Sequence, residues 1–212
     1  AYKVIQAGAK VLGNNKDGID FSLEDDYYGD TRFHIPFIAW YQVMNASLAL
    51  TTMEVLKDRI PVTMEQLQAG IANTRWQGRM ETILPGVIVD GAHNEDGVRR
   101  FVETAERFQK EYPLTLLFSA VNDKDYQDMI HTICSRIKFR KVVTTEVGGY
   151  REVPSAELAE IFCKEGCKDV GNSDNIEEAF HMAHEAKGED GMLFCVGSLY
   201  LVGEIKTLLL KK

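Results

Sequence analysis

An aspartate, a histidine and an asparagine stand directly behind a short apolar segment near the middle of the 212-residue chain. The apolar residues 87–89 end at Asp90, and His93 and Asn94 follow closely. A carboxylate only accepts hydrogen bonds, so Asp90 is suited to the hydroxyl groups of a sugar. A histidine can donate or accept a proton near neutral pH, so His93 is a candidate base or donor. Asn94 is typical of a helix N-cap.

The turn behind Asp90 does not have the sequence of a phosphate-binding loop. Neither G-x-G-x-x-G nor G-x-x-x-x-G-K-[ST] occurs there. Glu95 and Asp96 occupy the first turn of the predicted helix, where they complement the helix dipole and would repel a phosphate. Arg79, upstream of the apolar segment, carries the planar guanidinium that suits phosphate, although a surface ion pair is the usual role of a single arginine.

Alternating strands and helices must position these residues. From Met80 onward the pattern predicts strands at 80–84, 87–90, 114–120, 141–146, 169–170 and 192–196. It predicts helices at 95–110, 123–137, 155–164, 175–187 and 199–210. This alternation is typical of an α/β fold with a mostly parallel sheet. The carboxyl ends of parallel strands share one edge, so we expect a ligand site there.

Polar residues from several predicted strand ends should meet at this edge. They include, in chain order, Asp90, His93, Ser119, Lys124, Arg151 and Ser198. Lys124 stands between two aspartates, which is also typical of a solvated helix start. Ser198 has no neighbouring acid or base that indicates a nucleophile, so a ligand contact through its hydroxyl or amide is the alternative. The residues by themselves indicate a domain that helps to bind a nucleotide-like or anionic ligand, and they specify no reaction.

The first 77 residues have a different pattern. A turn signal at 13–18 separates strand-like segments at 2–12 and 19–23, and a further strand is predicted at 31–35. A polar, aperiodic segment at 74–78 predicts a domain boundary. We therefore expect a β-hairpin that belongs to a larger domain.

Two helices are predicted behind this hairpin. Pro36 should open a long helix over 37–57, because proline is favourable at a first helical position. Thr63 should start the next helix through a capping box. Gln42 and Asn45 lie three residues apart on one face of the long helix. Their pattern favours hydrogen bonds to the local backbone, or contact with solvent, over a ligand contact.

Composition narrows the class of protein. The net charge of −8 argues against a nucleic-acid or anionic-membrane partner. No stretch of 18 apolar residues predicts a membrane span, and no secretory signal opens the chain. Four cysteines are few for this length, so reduced thiols and a cytoplasmic protein are expected.

The cysteine spacing offers one metal hypothesis. Cys163 and Cys167, followed by His181 and His184, approach the spacing of a structural zinc site. The helical pattern favours a different interpretation, in which Cys163 packs on the apolar side of a helix with Leu158. We therefore predict no metal site in this chain.

Five motifs carry a resemblance to a known family. They are Tyr41-Gln42-Val43-Met44-Asn45-Ala46, Trp76-Gln77-Gly78-Arg79-Met80-Glu81, Val89-Asp90-Gly91-Ala92-His93-Asn94, Asn122-Asp123-Lys124-Asp125-Tyr126 and Gly197-Ser198-Leu199-Tyr200-Leu201-Val202-Gly203-Glu204. In this order they closely resemble folylpolyglutamate synthases and bifunctional dihydrofolate synthases of the ATP-dependent Mur ligase superfamily. The resemblance implies a Rossmann-like C-terminal domain at 78–212. It implies a β-hairpin and helical remnant of the central ATPase domain at 1–77.

The resemblance also implies an activity. In this family ATP phosphorylates the terminal carboxylate of a folate, and the amine of L-glutamate attacks the acyl phosphate. Asn45 would meet the adenine, Asp90 the ribose, and Arg79 the phosphates of ATP, with His93 beside the nucleotide. Arg79, His93 and Lys124 would be the catalytic residues. Lys124, Arg151 and Ser198 would bind the substrates.

The 212 residues lack two motifs that the family uses to hold phosphates and metal ions. No P-loop occurs in the 212 residues, and the Mg²⁺ ligands of the family precede the segment present here. In the loop at 148–152, which follows the predicted strand 141–146, only Arg151 matches the family pattern. We therefore expect a fragment that needs the N-terminal part of the same protein and does not catalyse ligation alone. A ligase acting on a peptidoglycan precursor and a free-standing ligand-binding domain remain as alternatives.

Overall fold

The computed structural model describes residues 8–15, 18–149 and 152–210. The chain divides into two compact units, residues 1–76 and residues 77–212. Each unit has its own sheet, with three strands in the first and six in the second. None of the helices in the described part of the chain combines the length and the apolar character that crossing a bilayer requires.

The first unit contains an antiparallel three-stranded sheet. Its strands are β1 (Ala9–Asn15), β2 (Gly18–Leu23) and β3 (Phe33–Ile35), paired in that order. The predicted hairpin is confirmed, although β1 continues into the predicted turn and has a bulge between Val11 and Gly13. Alternate residues of β2 are buried, which gives this strand one core face. The predicted strand residues 2–7 lie outside the described residues.

Two helices cover this sheet, α1 (Tyr41–Leu56) and α2 (Met64–Ala72). The predicted helix start at Pro36 is wrong, because α1 begins five residues later. The intervening segment buries Phe37, Ile38 and Ala39 in a non-helical conformation. Tertiary burial of these side chains therefore outweighs the local preference of proline for a first helical turn.

The predicted capping box of α2 is confirmed, and it gives a first prediction. The Thr63 hydroxyl accepts a hydrogen bond from the Gln66 amide at 3.3 Å, and the Gln66 side chain accepts from the Thr63 amide at 2.9 Å. We expect Thr63→Ala to lower the free energy of unfolding by about 1 kcal/mol, because it removes this acceptor. Urea denaturation measures the change. Thr52→Ala, the same truncation inside α1, is the control, and an equal loss in both variants would contradict the capping explanation.

The second unit is built on a six-stranded sheet. Its strands are β4 (Glu81–Leu84), β5 (Val87–Asp90), β6 (Leu114–Phe118), β7 (Phe139–Thr145), β8 (Val170–Ser173) and β9 (Met192–Val196). They are ordered β4-β5-β9-β6-β7-β8. β4 is antiparallel to β5, and all the other neighbours are parallel. The predicted α/β fold with a mostly parallel sheet is confirmed, and the last strand of the chain lies near its centre.

Helices cover both faces of this sheet. They are α3 (Glu95–Phe108), α4 (Tyr126–Arg136), α5 (Ser155–Lys164), α6 (Ile176–Lys187) and α7 (Leu199–Leu210). On one face, Phe101 of α3 packs on Phe194 with ring centroids 5.5 Å apart, and Phe162 of α5 packs on Phe118. On the other face, α6 and α7 share one core cluster with β5, β6 and β9. β5 and β6 are buried at every residue because both faces are covered.

Two local predictions in this unit are corrected. α4 begins at Tyr126 rather than at residue 123, because the Asp125 side chain caps it by accepting from the Asp128 amide at 3.2 Å. Cys163 is exposed and not on the apolar side of α5. Leu158 and Phe162 define the buried face there, and a residue one position further lies about a quarter-turn around the helix.

Candidate functional site

A buried carboxylate joins the end of β5 to the segment before β4. Asp90 is 3% exposed, and its two oxygens accept hydrogen bonds from the backbone amides of Met80 and Ala92, each at 2.8 Å. The Gly91 amide donates to the Gly78 carbonyl at 2.7 Å. These bonds fix residues 78–80 against the carboxyl end of β5. Asp90 therefore has a structural role that its position at a strand end did not predict.

The turn fixed in this way places Arg79 between two residues with left-handed backbone conformations. Met80 has φ +46°, the one left-handed non-glycine residue in the described part of the chain, and Gly78 on the other side has φ +66°. A bulky residue in this conformation costs on the order of 1 kcal/mol or more. Burial of the Met80 side chain and the bond from its amide to Asp90 hold it there. Arg79 is half-buried between these two residues.

Glu81 supports the same turn and was missed in the sequence. Its carboxylate accepts from the Gly78 amide at 2.7 Å and from the Lys206 ammonium at 2.7 and 3.0 Å. The ammonium of α7 therefore compensates the charge of Glu81. The sequence does contain a hint of this turn, because the acidic Glu81 follows Gly78 by three residues. Its partner Lys206 is too far away in sequence to be identified.

Burial controls the ionisation of Asp90. Desolvation raises the pKa of this carboxyl to about 6 from its usual 3.8. The amides of Met80 and Ala92 and the charges of Arg79 and His93 act in the opposite direction and are weaker. The Met80 amide bonded to Asp90 places the neighbouring Arg79 at this strand end, and the His93 ring bonded to the Gly91 carbonyl lies there too. The three residues form one cluster at the carboxyl end of β5.

This raised pKa predicts a pH dependence of stability. The folded chain holds the Asp90 proton more tightly than the unfolded chain, so the protonated form favours folding. That contribution is present below about pH 4 and is lost as the pH rises to about 6, a change of about 3 kcal/mol. In Asp90→Asn this titration is absent. We expect the unfolding free energy of the wild type, relative to that of the variant, to fall by this amount between about pH 4 and pH 7. A constant difference in urea denaturation across that range would contradict the prediction.

His93 is oriented by the backbone beside Asp90. Its Nδ1 lies 2.7 Å from the Gly91 carbonyl oxygen, so this nitrogen carries the hydrogen and donates. In the neutral ring, Nε2 is then the nitrogen that can accept a proton. The predicted N-cap is confirmed, because the Asn94 side chain accepts from the Gly97 amide at 2.9 Å. His93 is therefore a half-buried imidazole with a fixed tautomer at the start of α3.

The loop behind β9 packs closely on this cluster. Val196, the last residue of β9, pairs with both Asp90 and Phe118. An added Cβ at Gly91 would lie 2.1 Å from Cδ2 of Leu199. Glycine at position 91 therefore leaves the space that the start of α7 occupies.

Ser198 lies in this loop and is 2% exposed. Its hydroxyl oxygen accepts from the Tyr200 amide at 3.1 Å, which starts α7. The hydroxyl hydrogen is not used in that bond and can still be donated. Ser198 therefore combines a helix-starting role with one remaining donor close to the end of β5.

The remaining predicted residues are less closely associated with the cluster. Lys124 is exposed in the turn between β6 and α4, at the same edge of the sheet, and its backbone amide donates to the Val121 carbonyl at 3.2 Å. Ser119, one of the polar residues expected at the predicted strand ends, lies directly behind β6, and its buried hydroxyl has no hydrogen-bond partner in the described residues. Arg151 lies outside the described residues.

Asn45 belongs to the first unit and is exposed on α1. Its side-chain amide donates to Oε1 of Gln42 at 2.9 Å, so the two amides bond to each other on one face of α1. Gln42 is 4% exposed, and its Nε2 has no partner in the described part of the chain. The exposed Asn45 is therefore bonded to the buried Gln42, whose Nε2 still has a hydrogen to donate.

The described residues contain no group of three or more His, Cys, Asp or Glu side chains that could hold a metal ion. The side chains at the end of β5 consist of one buried carboxylate, one imidazole and one guanidinium. This set suits polar and anionic groups of an organic ligand better than a divalent cation, which prefers several oxygen ligands.

The segment that contains this cluster matches a known protein family. Residues 78–199, more than half of the chain, match the family described as Mur ligase, glutamate ligase domain. The chain belongs to the Mur ligase family. The match begins at the turn before Arg79 and ends at the start of α7, so it includes all the cluster residues of the second unit. The resemblance found in the sequence motifs is confirmed.

One curated relative of the chain is a folate enzyme by name. The chain is 30% identical over 194 residues to the dihydrofolate synthase/folylpolyglutamate synthase of Bacillus subtilis, a match that covers 88% of this chain and 43% of the relative. The chain thus spans less than half the length of this curated relative.

Solved structures of Mur ligases share the fold. The folylpolyglutamate synthase of Thermotoga maritima is 25% identical, with a TM-score of 0.75 over 95% of this chain and 46% of that one. The Mycobacterium tuberculosis folylpolyglutamate synthase complexed with ADP and AMPPCP is 24% identical, with a TM-score of 0.75 over 95% of this chain and 48% of that one.

Proposed function

We propose that this chain is part of an ATP-dependent ligase that joins L-glutamate to a folate. The observation that carries the proposal is the cluster of Arg79, Asp90 and His93 at the end of β5, within the segment that matches the glutamate ligase domain of Mur ligases. The name of the Bacillus subtilis relative supports folate as the substrate class. The ADP and AMPPCP complexes of the Mycobacterium tuberculosis enzyme support ATP as the phosphoryl donor.

The proposed reaction has two steps. The terminal carboxylate of the folate attacks the γ-phosphorus of ATP, which gives an acyl phosphate and ADP. The amine of L-glutamate then attacks the acyl carbon, phosphate leaves, and the amine loses a proton. Negative charge develops on the transferred phosphoryl group, and a fixed guanidinium stabilises it best where no reorganisation is needed. The turn around Arg79 fixes the backbone from which this guanidinium extends.

Each cluster residue has a distinct proposed role. Arg79 contacts the phosphates of ATP, and Nε2 of His93 faces the nucleotide as an acceptor or donor. Asp90 positions the turn through its two backbone hydrogen bonds, and its remaining lone pairs accept from a ribose hydroxyl. We assign the adenine to Asn45 of the first unit. Mg²⁺, which supplies charge neutralisation when phosphates are bound, has no ligand set in the described residues.

The glutamate and folate contacts are proposed for the other strand ends. Lys124 is exposed and cationic, which suits a substrate carboxylate or the acyl phosphate. Ser198 retains one donor beside the cluster. Arg151 is proposed as a further carboxylate contact on the basis of the motif resemblance alone.

We further propose that these 212 residues do not complete the reaction by themselves. The chain spans 43% of the Bacillus subtilis relative, and its sequence contains no P-loop to hold the β- and γ-phosphates. Purified chain incubated with ATP, Mg²⁺, folate and L-glutamate should release no ADP above background. Folate- and glutamate-dependent ADP release by this chain would contradict the proposal.

The test of the function uses the product of the complete reading frame that encodes this chain. ADP release is measured with L-glutamate and either tetrahydrofolate or dihydropteroate, and in parallel with a nucleotide-linked muramyl peptide and its amino acid. We expect turnover only with a pteridine substrate. Turnover with the muramyl substrate would assign the chain to peptidoglycan-precursor ligases. Nucleotide binding without any turnover would indicate a ligand-binding domain, and either result would overturn the proposal.

A further inference from the structure

Two cysteines that are 33 positions apart in sequence meet on the outer side of the second unit. Sγ of Cys134, in the last turn of α4, lies 3.6 Å from Sγ of Cys167, just beyond α5. Both residues are partly exposed, and both are free thiols. The pair is separate from the cluster at the end of β5, and the proposed ligase reaction does not use it.

The local structure of α5 explains the meeting. The helix ends at Lys164, Gly166 just behind it has φ +92°, and the Cys167 amide donates back to the Phe162 carbonyl at 3.1 Å. This reversal is the usual way in which a left-handed glycine ends a helix. It directs Cys167 toward α4, which packs against α5.

A second contact joins the same two elements. Nδ1 of His131 lies 2.9 Å from Oε2 of Glu165. His131 is one turn before Cys134 on α4, and Glu165 is two residues before Cys167, so both contacts bridge the same gap. The two sulfurs therefore meet beside a second contact between the same two elements, so their approach is more than the proximity of two isolated side chains.

The two thiols differ in acidity. Their hydrogen bond lowers the pKa of Cys167, and the same bond, together with burial, raises the pKa of Cys134. Cys167 is therefore the sulfur that more readily becomes a thiolate, the nucleophilic form of cysteine. The other two cysteines have different surroundings. Cys163 is exposed on α5, and Cys195 is buried in β9, where desolvation raises its pKa.

We propose that Cys134 and Cys167 are a dithiol site that a low-molecular-weight disulfide, such as oxidised glutathione, converts to an intramolecular disulfide. The Cys167 thiolate attacks one sulfur of the reagent and releases one thiolate, which leaves a mixed disulfide on Cys167. Cys134 then loses its proton and attacks Sγ of Cys167, and the second reagent thiolate leaves. In total, two protein thiols are oxidised and one small disulfide is reduced to two thiols.

The geometry favours this closure over a link to another cysteine. A disulfide bond is about 2.05 Å long, so the two sulfurs need to approach by roughly 1.5 Å. Cys163 lies about one helical turn before Cys167, and its side chain is exposed to solvent. Cys195 is fully buried in the central strand. The product would connect the end of α4 to the end of α5.

Peptide mapping of the native 212-residue chain tests the proposal. The chain is incubated with oxidised glutathione, remaining thiols are alkylated, and trypsin is added without reductant. Cleavage after lysine and arginine places Cys134 in peptide 125–136, Cys167 in peptide 165–168 and Cys163 in peptide 152–164. We expect peptides 125–136 and 165–168 to be joined. Alkylation of both cysteines, or equal linkage to Cys163, would overturn the proposal.

Serine variants separate the two steps. In Cys134→Ser we expect complete loss of the joined peptides and a stable glutathione adduct on Cys167. In Cys163→Ser, the matched control, the joined peptides should be unchanged. Loss of the link in Cys163→Ser would show that a different pair reacts and would overturn the proposal. The wild-type map decides the question by itself if a variant does not fold.

Discussion

Gly197→Ala is expected to lower the free energy of unfolding of the second unit by roughly 3–5 kcal/mol. Gly197 has φ +108°, a conformation that residues with a side chain rarely adopt. An added Cβ would also lie 2.1 Å from the Ser119 carbonyl oxygen and 2.8 Å from the Phe118 ring. The oxygen belongs to the backbone of the neighbouring strand end, so relief requires a shift of β6 or β9.

The chain contains a matched control for this substitution. Gly203 lies in the middle of α7, and an added Cβ there meets nothing within 4 Å. Gly203→Ala should raise the free energy of unfolding by about 0.5–1 kcal/mol, because alanine favours the helix. Urea denaturation followed by circular dichroism measures both variants. A Gly197→Ala protein as stable as Gly203→Ala would show that the loop behind β9 tolerates a side chain and that its close packing is not required.

Arg79→Ala should reduce ATP-dependent turnover of the complete protein by roughly 10²–10³-fold, the effect of removing one well-positioned electrostatic group. This expectation depends on the proposed function. Gly78 and Met80, both left-handed, and the Asp90 bond hold the residue between them in one place. Arg79→Lys keeps the charge but not the planar fork, so it should recover only part of the activity.

Two controls distinguish this effect from a loss of structure. Arg99→Ala removes an exposed guanidinium that pairs with Asp96 on α3, and turnover should be unchanged. The thermal unfolding midpoint of Arg79→Ala should stay close to that of the wild type, because the backbone bonds around the turn remain. Full activity in Arg79→Ala would remove this residue from the proposed phosphate contact.

The elements with strong periodicity could be predicted from the sequence, and the tertiary contacts of the site could not. Alternation gave the α/β fold, and residue types gave the caps at Thr63 and Asn94. The sequence also predicted that the end of β5, with Asp90 and His93, is part of a ligand site. The hydrogen bonds from the Asp90 carboxylate to a turn ten residues upstream depend on how two strands pair, which no local pattern records.

The errors have related physical causes. Pro36 predicts a helix start, but burial of Phe37, Ile38 and Ala39 outside the helix decides the boundary. Cys163 was assigned to the apolar side of α5, where a one-residue error in helical phase exchanges a buried and an exposed position. The meeting of Cys134 with Cys167 required the packing of α4 on α5 and the glycine reversal between them. The start of α1, the buried face of α5 and the contact between the two cysteines all depend on tertiary packing, which a local sequence pattern does not record.

The central place of β9 has a consequence for how the sheet is made. β5 is bonded to β4 on one side and to β9 on the other, and β6 is bonded to β9 and β7. As the chain leaves the ribosome, the strands of the second unit before residue 192 can therefore form only two separate pieces, the β4-β5 hairpin and the three strands β6, β7 and β8. The three-stranded piece can pack against α5 and α6, but neither piece contains the complete edge of the sheet. The strand made last joins the two halves, so the edge that carries Asp90, His93 and Ser198 comes into existence in a single late step.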